Sequence, residues 1–239
     1  MPHRARRPSR ARRSRSPETM TEPLSIPLPR TWDARLARRL VTPLKNTWVV
    51  PNHLTTVRLL IGIAGAACLA HGGYVAFNVG ALLIVLSNFV DHTDGELARI
   101  SGKTSRLGHL YDLASDAVIT VLLFAAMGAG LVAEGLEMSV HPLALGSVAG
   151  IAVATIFYLR MRIEEMAGKD GTRQAAAGGF ETEDVLYLLP LVTLVNGVPH
   201  FLLAASVGAP LFAVWVVVDY LRTARRHRAA TPVPLGRSA

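Results

Sequence analysis

The sequence predicts an all-α integral membrane protein with six transmembrane helices, preceded by an amphipathic helix at the membrane interface. Apolar residues make up 51% of the 239-residue chain, whereas charged residues make up only 18%. Several apolar runs approach or exceed the roughly 20 residues that a helix needs to cross a bilayer. Most of the charged residues cluster between these runs and in the tails, so we expect the chain to cross the membrane repeatedly.

Composition divides the chain into four regions. Residues 1–29 are rich in Arg, Ser and Pro, lack an apolar run and are predicted to be a disordered basic tail. Residues 30–48 are predicted to form a juxtamembrane helix, and residues 49–222 the six-helix transmembrane domain, in which any catalytic site would lie. Residues 223–239 are predicted to be a basic C-terminal tail.

The juxtamembrane helix is predicted to be amphipathic. Trp32, Leu36, Leu40 and Val41 fall near one helical face, and arginines occupy the other faces. A basic helix with Trp and Leu on its apolar face is typical of segments that lie in the plane of the membrane interface.

The six spans follow from the apolar runs and their interruptions. A Gly-Gly pair at 72–73 ends the first span. An Asn-Gly-Val-Pro sequence at 196–199 interrupts an apolar tract from 185 to 221 that is too long for one span. The predicted spans cover approximately 53–70, 74–94, 107–132, 142–161, a fifth stretch from 185 to the break, and 200–220.

The basic residues predict the orientation of these spans. Lys and Arg are concentrated before Pro51, in the loops after the second and fourth spans, and in the C-terminal tail, whereas the other three loops have none. By the positive-inside rule, both termini would lie on the cytoplasmic side of the cell (inner) membrane. The net charge of +8 would also suit nucleic acid. Because the charge lies mostly in the tails, anionic membrane lipids are the expected partner and nucleic acid is not.

Four carboxylates lie at or beside the ends of the second and third spans, on the predicted cytoplasmic side. Asp91 and Asp94 are separated by three residues, and Asp112 and Asp116 by four, so each pair shares a helical face. A hairpin of the two helices would direct all four into one cleft. Isolated carboxylates are costly in a low-dielectric medium, and divalent metal ions, which prefer oxygen ligands, would stabilise such a group.

The residues around these acids form a recognisable pattern, D-x-x-D-G-x-x-A-R-x(8)-G-x-x-x-D-x-x-x-D. It is filled by Asp91, Asp94, Gly95, Ala98, Arg99, Gly108, Asp112 and Asp116. This pattern resembles the signature of the CDP-alcohol phosphotransferases, which are integral membrane enzymes of phospholipid synthesis. A Pro-Asn-x-Leu-Thr-x-x-Arg run from Pro51 to Arg58 is a weaker part of the same resemblance.

The resemblance implies a reaction and a set of partners. A substituted phosphate, phosphatidyl in the leading interpretation, would pass from a CDP-linked donor such as CDP-diacylglycerol to a polar alcohol, with release of CMP. Two divalent cations, Mg²⁺ or Mn²⁺, would be the cofactors, and family analogy favours a homodimer. Asp91, Asp94 and Asp112 would be metal ligands, with a contribution from Asp116, which would also be the catalytic base.

The resemblance also implies roles for residues around the acids. Gly95, Ala98 and Gly108 would make room for the nucleotide, and Arg99 would either bind phosphate or mark the membrane boundary. Asn52, Thr55 and Arg58 are further candidates for facing the nucleotide, although helix packing explains Thr55 equally well. Weaker candidates for binding phosphate or the acceptor are Lys103, Arg106, Arg160 and Arg173.

The acceptor and the function class each have open alternatives. Leu113 and Ala117 stand where relatives that use glycerol phosphate often have Pro and Lys, so elimination favours an inositol-type acceptor or another polar alcohol. A membrane prenyltransferase of the aspartate-rich kind is a second enzyme hypothesis, but its acidic motifs lie far apart in sequence. A divalent-cation transporter with intramembrane carboxylates is the third, and it would not require the spacing of Gly95, Ala98 and Gly108.

Overall fold

In a computed structural model of the chain, the structure describes residue 29, residues 31–167 and residues 186–230. Seven α-helices occupy this part of the chain. They are α1 (Trp32–Val41), α2 (Pro51–His71), α3 (Tyr74–Ser101), α4 (Arg106–Ala133), α5 (Pro142–Ala167), α6 (Leu189–Leu194) and α7 (Val198–Ala230). The predicted all-α fold is confirmed, but the predicted disordered tail at 1–29 lies, apart from residue 29, outside the described residues.

Five helices in the described part of the chain are long and apolar enough to cross a membrane, namely α2, α3, α4, α5 and α7. They correspond to five of the six predicted spans. The predicted span between 185 and the break contains the six-residue helix α6, which is too short to cross a bilayer. Residues 168–185 lie outside the described part, so the count of six is not confirmed.

The break itself lies where the sequence predicts it. Asn196 has a positive φ of 53°, a conformation that Asn tolerates better than most residues, and Gly197 follows it. Val198 and Pro199 already belong to α7, because proline is well accommodated in the first turn of a helix.

Three helices continue beyond their predicted ends, and one of them is α5, which runs to Ala167 rather than to 161. Helix α3 runs to Ser101, past the expected end at 94, and terminates at Gly102 in a left-handed conformation. Helix α7 runs to Ala230, so the predicted domain boundary at 222 falls inside a helix. The residues beyond 222 are mainly Arg and Ala, which are strong helix formers and allow the helix to continue past the apolar segment.

Helix α2 lies against both α3 and α4, whereas α3 and α4 contact each other very little. Glycines permit these close approaches, since a Cβ on Gly65 would lie 3.1 Å from the carbonyl oxygen of Gly80, and one on Gly130 would overlap the carbonyl oxygen of Leu69. The expected hairpin of α3 and α4 is therefore opened by α2, which contributes its own side chains to the space between them.

The apolar core runs through the bundle between these helices. Leu69, Ile84, Met127 and Leu202 are among its fully buried members. Helix α5 packs on α4 and α7 and closes the other side of the bundle. Many other large apolar side chains are exposed along the five long helices, as expected for surfaces that face lipid rather than water.

Helix α1 packs on α3, near the end of α3 that carries the acidic residues. Asp33, Ala34, Ala37 and Val41 form its buried face. Trp32, Leu36 and Leu40 are exposed, so this part of the predicted apolar face is free to contact lipid, whereas Val41 turns inward. This arrangement agrees with a helix that lies on the membrane surface and packs on the bundle through a separate face made of small side chains, Val41 and the buried Asp33.

Candidate active site

Three of the four signature carboxylates meet at one point. One oxygen from each of Asp91, Asp112 and Asp116 lies within 4.8 Å of the other two. Asp91 comes from α3, and Asp112 and Asp116 are one turn apart on α4. These side chains are partly exposed, with Asp116 the most open at 47%. The predicted acidic cleft is therefore present for these three residues.

Asp94 is set apart from this cluster. Its side chain is only 5% exposed, and its Oδ2 atom accepts a hydrogen bond of 2.7 Å from the hydroxyl of Thr55 on α2. The spacing of three residues places Asp94 on the same face of α3 as Asp91, but the packing of α2 holds its carboxylate further inside.

Arg58 of α2 occupies the centre of the acidic group. Its Nη1 atom lies 2.5 Å from Asp91 Oδ1 and 2.6 Å from Asp116 Oδ1, and its Nη2 atom lies 2.8 Å from Asp112 Oδ1. Its Nε atom is 3.7 Å from Asp94 Oδ2 and lacks a hydrogen-bond partner. The Arg58 side chain is only 4% exposed, so it forms a buried cationic hub for all four acids.

The sequence offered Arg58 only as a candidate for facing the nucleotide, and its central position among the acids was not predicted. The signal was present, since Arg58 is the only basic residue in the first predicted span. A charged residue inside a membrane span almost always has a partner, and the signature places four acids in or beside the two spans that follow. Its direct contact with all four acids depends on α2 lying between α3 and α4.

The charges of these side chains do not balance, and this imbalance tests whether metal ions fit the site. Four carboxylates and one guanidinium leave a formal charge of about −3 in a membrane-embedded cluster. Hard divalent cations take carboxylate oxygens as ligands, and Asp91, Asp112 and Asp116 present them together. The residues present therefore fit a divalent metal site.

The glycines of the signature fall into two types. A Cβ added to Gly95 would meet nothing within 4 Å, so open space lies beside α3 next to the acids. A Cβ added to Gly108 would lie 2.6 Å from Asn52 Oδ1 and 2.9 Å from Ser105 Oγ. Gly108 thus allows Asn52 to approach α4, whereas the space at Gly95 is available to a ligand.

We expect Gly95→Ala to separate stability from ligand binding. Because alanine is favoured over glycine in a helix by up to about 1 kcal/mol and meets no clash here, the thermal stability should stay equal or rise. If Gly95 makes room for the nucleotide, as the signature implies, the affinity for CDP should fall, because the methyl group would take up part of that space. Calorimetric titration with CDP and a melting curve would measure both, and Gly108→Ala, which must displace Asn52, should instead lower the melting temperature.

We expect Thr55→Val to act through Asp94. The substitution keeps the shape of the side chain but removes the hydroxyl that donates to Asp94 Oδ2. Loss of a hydrogen bond to a charged group costs about 1.5–3 kcal/mol. The melting temperature should fall measurably, while Thr55→Ser, which retains the donor, should fall less. Equal losses in the two variants would contradict a positioning role for this hydroxyl.

The structure gives the other candidate cations different partners. Arg99 pairs with Glu96 on its own helix. Lys103 donates to the backbone carbonyls of Thr47 and Val49, 3.1 Å away in the latter case, and so ties the α3–α4 loop to the start of α2. Arg106 is exposed in the first turn of α4. The predicted phosphate-binding roles of Arg99 and Lys103 would require these two residues to change partners.

Two further candidates for binding phosphate or the acceptor, Arg160 and Arg173, come after α4 in the chain. The Arg160 guanidinium stands over the ring of Phe212 at 5.5 Å and near the ring of Trp215 at 6.0 Å. Arg173 lies outside the described residues. Ala98 shares the acidic face of α3, one turn after Asp94, and is partly buried.

A cavity of about 590 Å³ opens next to the acidic group. Arg58, Asn88 and Asp116 line its polar end, and the rest of its lining is almost entirely apolar. Side chains from α3 to α7 contribute, including Phe124, and the Asn88 Nδ2 atom is buried without a hydrogen-bond partner. The site therefore joins a charged centre to an apolar chamber inside the bundle.

Fold and site together define a multi-pass membrane protein with a cluster of carboxylates that could hold a divalent metal ion. The family model of the CDP-alcohol phosphatidyltransferases matches residues 48–218. The chain belongs to this family, which confirms the resemblance drawn from the signature. The assignment supports the phosphotransferase hypothesis and gives no support to the prenyltransferase and cation-transporter hypotheses.

Curated relatives agree with this assignment. The chain is 37% identical over 90 residues to cholinephosphotransferase 1 of Danio rerio, covering 34% of this chain and 23% of that protein. It is 28% identical over 188 residues to archaetidylinositol phosphate synthase of Aeropyrum pernix, covering 78% and 88%. A bifunctional IPC transferase and DIPP synthase of Thermococcus kodakarensis is 35% identical over 42% of this chain and 22% of its own length. The chain thus spans less than a quarter of two of these relatives.

Solved structures show the same fold. Phosphatidylinositol phosphate synthase of Mycobacterium tuberculosis, solved with CDP-DAG bound, superimposes with a TM-score of 0.54 at 21% identity, over 86% of this chain and 99% of that one. A structure of the same enzyme with manganese and citrate gives a TM-score of 0.51 at 22% identity, over 87% and 93%.

Proposed function

We propose that the protein transfers a substituted phosphate, phosphatidyl in the first instance, from a CDP-linked lipid such as CDP-diacylglycerol to a polar alcohol in phospholipid biosynthesis. The observation that carries this proposal is that the acidic cluster adjoins the apolar cavity. Three clustered carboxylates and Arg58 form a polar centre that opens directly into the apolar cavity. A lipid with a charged diphosphate head and apolar tails matches both parts.

The reaction requires the acceptor hydroxyl to lose a proton as its oxygen attacks the β-phosphorus of the donor. The new oxygen–phosphorus bond forms while the bond from that phosphorus to the bridging oxygen breaks, and CMP leaves with the bridging oxygen. We assign the proton to Asp116, which lies at the junction of the acidic cluster and the cavity. Arg58 would contribute positive charge next to the diphosphate.

Asp91, Asp94 and Asp112, with a contribution from Asp116, are the proposed metal ligands, for two divalent cations that are Mg²⁺ or Mn²⁺. When bound, these ions would neutralise the diphosphate and stabilise the charge that develops during phosphoryl transfer. The partial exposure of Asp91, Asp112 and Asp116 leaves them accessible for this role. Asp94 would have to turn away from Thr55, or bind through the oxygen that Thr55 does not contact.

An inositol-type alcohol is the proposed acceptor. The archaetidylinositol phosphate synthase relative supports it, because its match covers most of both chains. Leu113 and Ala117 argue against glycerol phosphate, as the resemblance implies. The active site is proposed to face the cytoplasm of a cell membrane, since Lys103 lies in the α3–α4 loop and Arg99 and Arg106 lie in the helical turns on either side of it. A homodimer remains a proposal by family analogy.

The test is an assay of purified protein in lipid nanodiscs, with CMP as the measured product. CDP-diacylglycerol, Mg²⁺ or Mn²⁺ and a panel of alcohols would be supplied, including inositol, inositol phosphate, serine and glycerol phosphate. We expect CMP only when an acceptor and a divalent metal are both present. The reversed arrangement, with a CDP-linked polar alcohol and diacylglycerol, is the comparison reaction. The absence of CMP with every alcohol and either metal would overturn the proposal.

The apolar cavity provides a separate test of the donor's lipid part. Gly208 of α7 lines the cavity, and a Cβ there would meet nothing within 4 Å. Gly208→Leu should therefore fill part of the chamber without a clash. We expect the KM for long-chain CDP-diacylglycerol to rise several-fold relative to that for a short-chain analogue. An equal effect on both donors would place the lipid tails elsewhere.

A further inference from the structure

Helix α1 is joined to α3 by two polar contacts that the proposed chemistry does not use. Asp33 Oδ2 of α1 lies 2.9 Å from His92 Nε2 of α3, an electrostatic contact rather than an aligned hydrogen bond. Arg38 Nε of α1 donates to Glu96 Oε2 of α3 at 2.6 Å. We call these four residues the α1 clamp.

The acidic members of the clamp are buried. Asp33 is fully buried and Glu96 is 1% exposed. Burial raises the pKa of Asp33, but hydrogen bonds from Thr31, Ala34 and Tyr187 and the charge of His92 lower it by more, so its pKa lies below the usual value. Asp33 is therefore ionised at neutral pH and its charge is held inside the protein.

Burial of these charges is not explained by stability alone. Replacing a buried ion pair with apolar side chains of similar size is often neutral or stabilising, whereas fixing the register of two elements is a better-attested use. The α1 clamp fixes the position of one short helix along one segment of α3. That segment, from Asp91 to Ser101, contains two of the proposed metal ligands.

The α3 residues of the α1 clamp lie on a different face of α3 from the proposed metal ligands. His92 and Glu96 are four residues apart and share a face of α3, while successive residues turn by about 100°. Asp91 precedes His92 directly, so a rotation or shift of α3 at His92 would move the Asp91 carboxylate with it. Because α3 and α4 contact each other little, this segment depends on α2 on one side and α1 on the other.

Helix α1 also reaches the wall of the apolar cavity. Tyr187 donates from its hydroxyl to Asp33 Oδ2 at 3.1 Å, and its ring lies 5.8 Å from that of Trp32. Its neighbours Leu186 and Leu188 line the cavity. One buried carboxylate on α1 therefore contacts both the metal-bearing segment of α3 and the turn beside the cavity.

We infer that Asp33 and Arg38 are positioning residues, and that α1 holds the metal-ligand segment of α3 in the register that the acidic centre requires. This inference rests on the proposed metal site. The exposed apolar side chains of α1 would bind the membrane surface. The same short helix would therefore contact lipid on one face and α3 on another.

The test compares Arg38→Gln and Asp33→Asn with Arg39→Gln, an exposed arginine on the same helix. Binding of Mn²⁺ alone to each purified variant in nanodiscs would be measured by electron paramagnetic resonance of the free ion, at a temperature where melting curves show all variants folded. We expect Mn²⁺ affinity to fall about tenfold in the first two, the lower end for outer-shell partners of metal ligands, and to stay unchanged in Arg39→Gln. Arg38→Lys should restore part of the loss.

The outcomes separate the two proposals. Normal Mn²⁺ affinity in both Arg38→Gln and Asp33→Asn would overturn the positioning role while leaving the metal site intact. An equal loss in Arg39→Gln would also overturn it, because the effect would then follow from the charge of α1 rather than from its contacts. Failure of the wild-type protein to bind Mn²⁺ would reject the metal site and the inference together. If Asp33→Asn does not fold, Arg38→Gln decides.

Discussion

Asp116→Asn is expected to reduce CMP release by about 10²–10⁴-fold, the usual contribution of a general base. The amide has nearly the same shape as the carboxylate but cannot accept the proton of the acceptor hydroxyl. Asp116 is the most exposed of the clustered acids and lines the cavity, so a substrate can reach it. Turnover would be measured as CMP formed from CDP-diacylglycerol and the best acceptor.

The stability of this variant should move in the opposite direction. Removing one of four like charges reduces the repulsion in the cluster, and Arg58 keeps its contacts with Asp91 and Asp112. We therefore expect an unchanged or higher melting temperature and nearly normal CDP binding. Asp219→Asn, which lies within α7 and outside the acidic cluster, is the matched control and should leave turnover unchanged. Full activity in Asp116→Asn would refute its assignment as the base.

Arg58→Gln should have the largest effect on stability. The substitution removes the buried cation that contacts all four acids and leaves their charges facing one another. Breaking a buried ion pair from one side costs about 3–5 kcal/mol. We expect the melting temperature in detergent without divalent ions to fall by many degrees. Arg162→Gln, which removes an exposed pair with Glu165, should change it very little.

The response of Arg58→Gln to divalent ions tests whether Arg58 and the metal bind the same acids. If the acids form a metal site, added Mn²⁺ should supply the missing positive charge and raise the melting temperature of Arg58→Gln more than that of the wild-type protein. Turnover should stay low even at saturating Mn²⁺, because the variant lacks the guanidinium that we propose to lie next to the diphosphate. An identical Mn²⁺ response in both proteins would show that Arg58 and the metal do not share the same acids.

The sequence predicts a feature of this site well when the feature depends only on residues that are close together in the chain. The spacing of Asp112 and Asp116 places them on one face of α4 in any helical fold, and the structure brings both to the site. Asp91 and Asp94 also share a helical face, yet Thr55 holds Asp94 away from the cluster. The difference arises from a helix distant in sequence, which no spacing within the signature describes.

The candidate cations show the same limit. Lys103 and Arg99 were expected near phosphate because they flank the acids in sequence, but their partners in the structure are backbone carbonyls and Glu96. Arg58 lies more than 30 residues before the first acid and proves to be the hub. A charged side chain binds whichever opposite charge packing brings within reach, and sequence distance does not measure that.

The amino-acid sequence by itself determined the all-helical membrane fold, the interruption at Asn196 and Gly197, and the four acids of the site. These features follow from local rules: hydropathy, backbone conformation and helical periodicity. Only the tertiary structure decided that α2 separates α3 from α4, that Arg58 lies among the acids, and that α1 clamps α3. The physical reason is that these contacts join different helices, so their geometry is set by how whole helices pack and not by spacing within one segment.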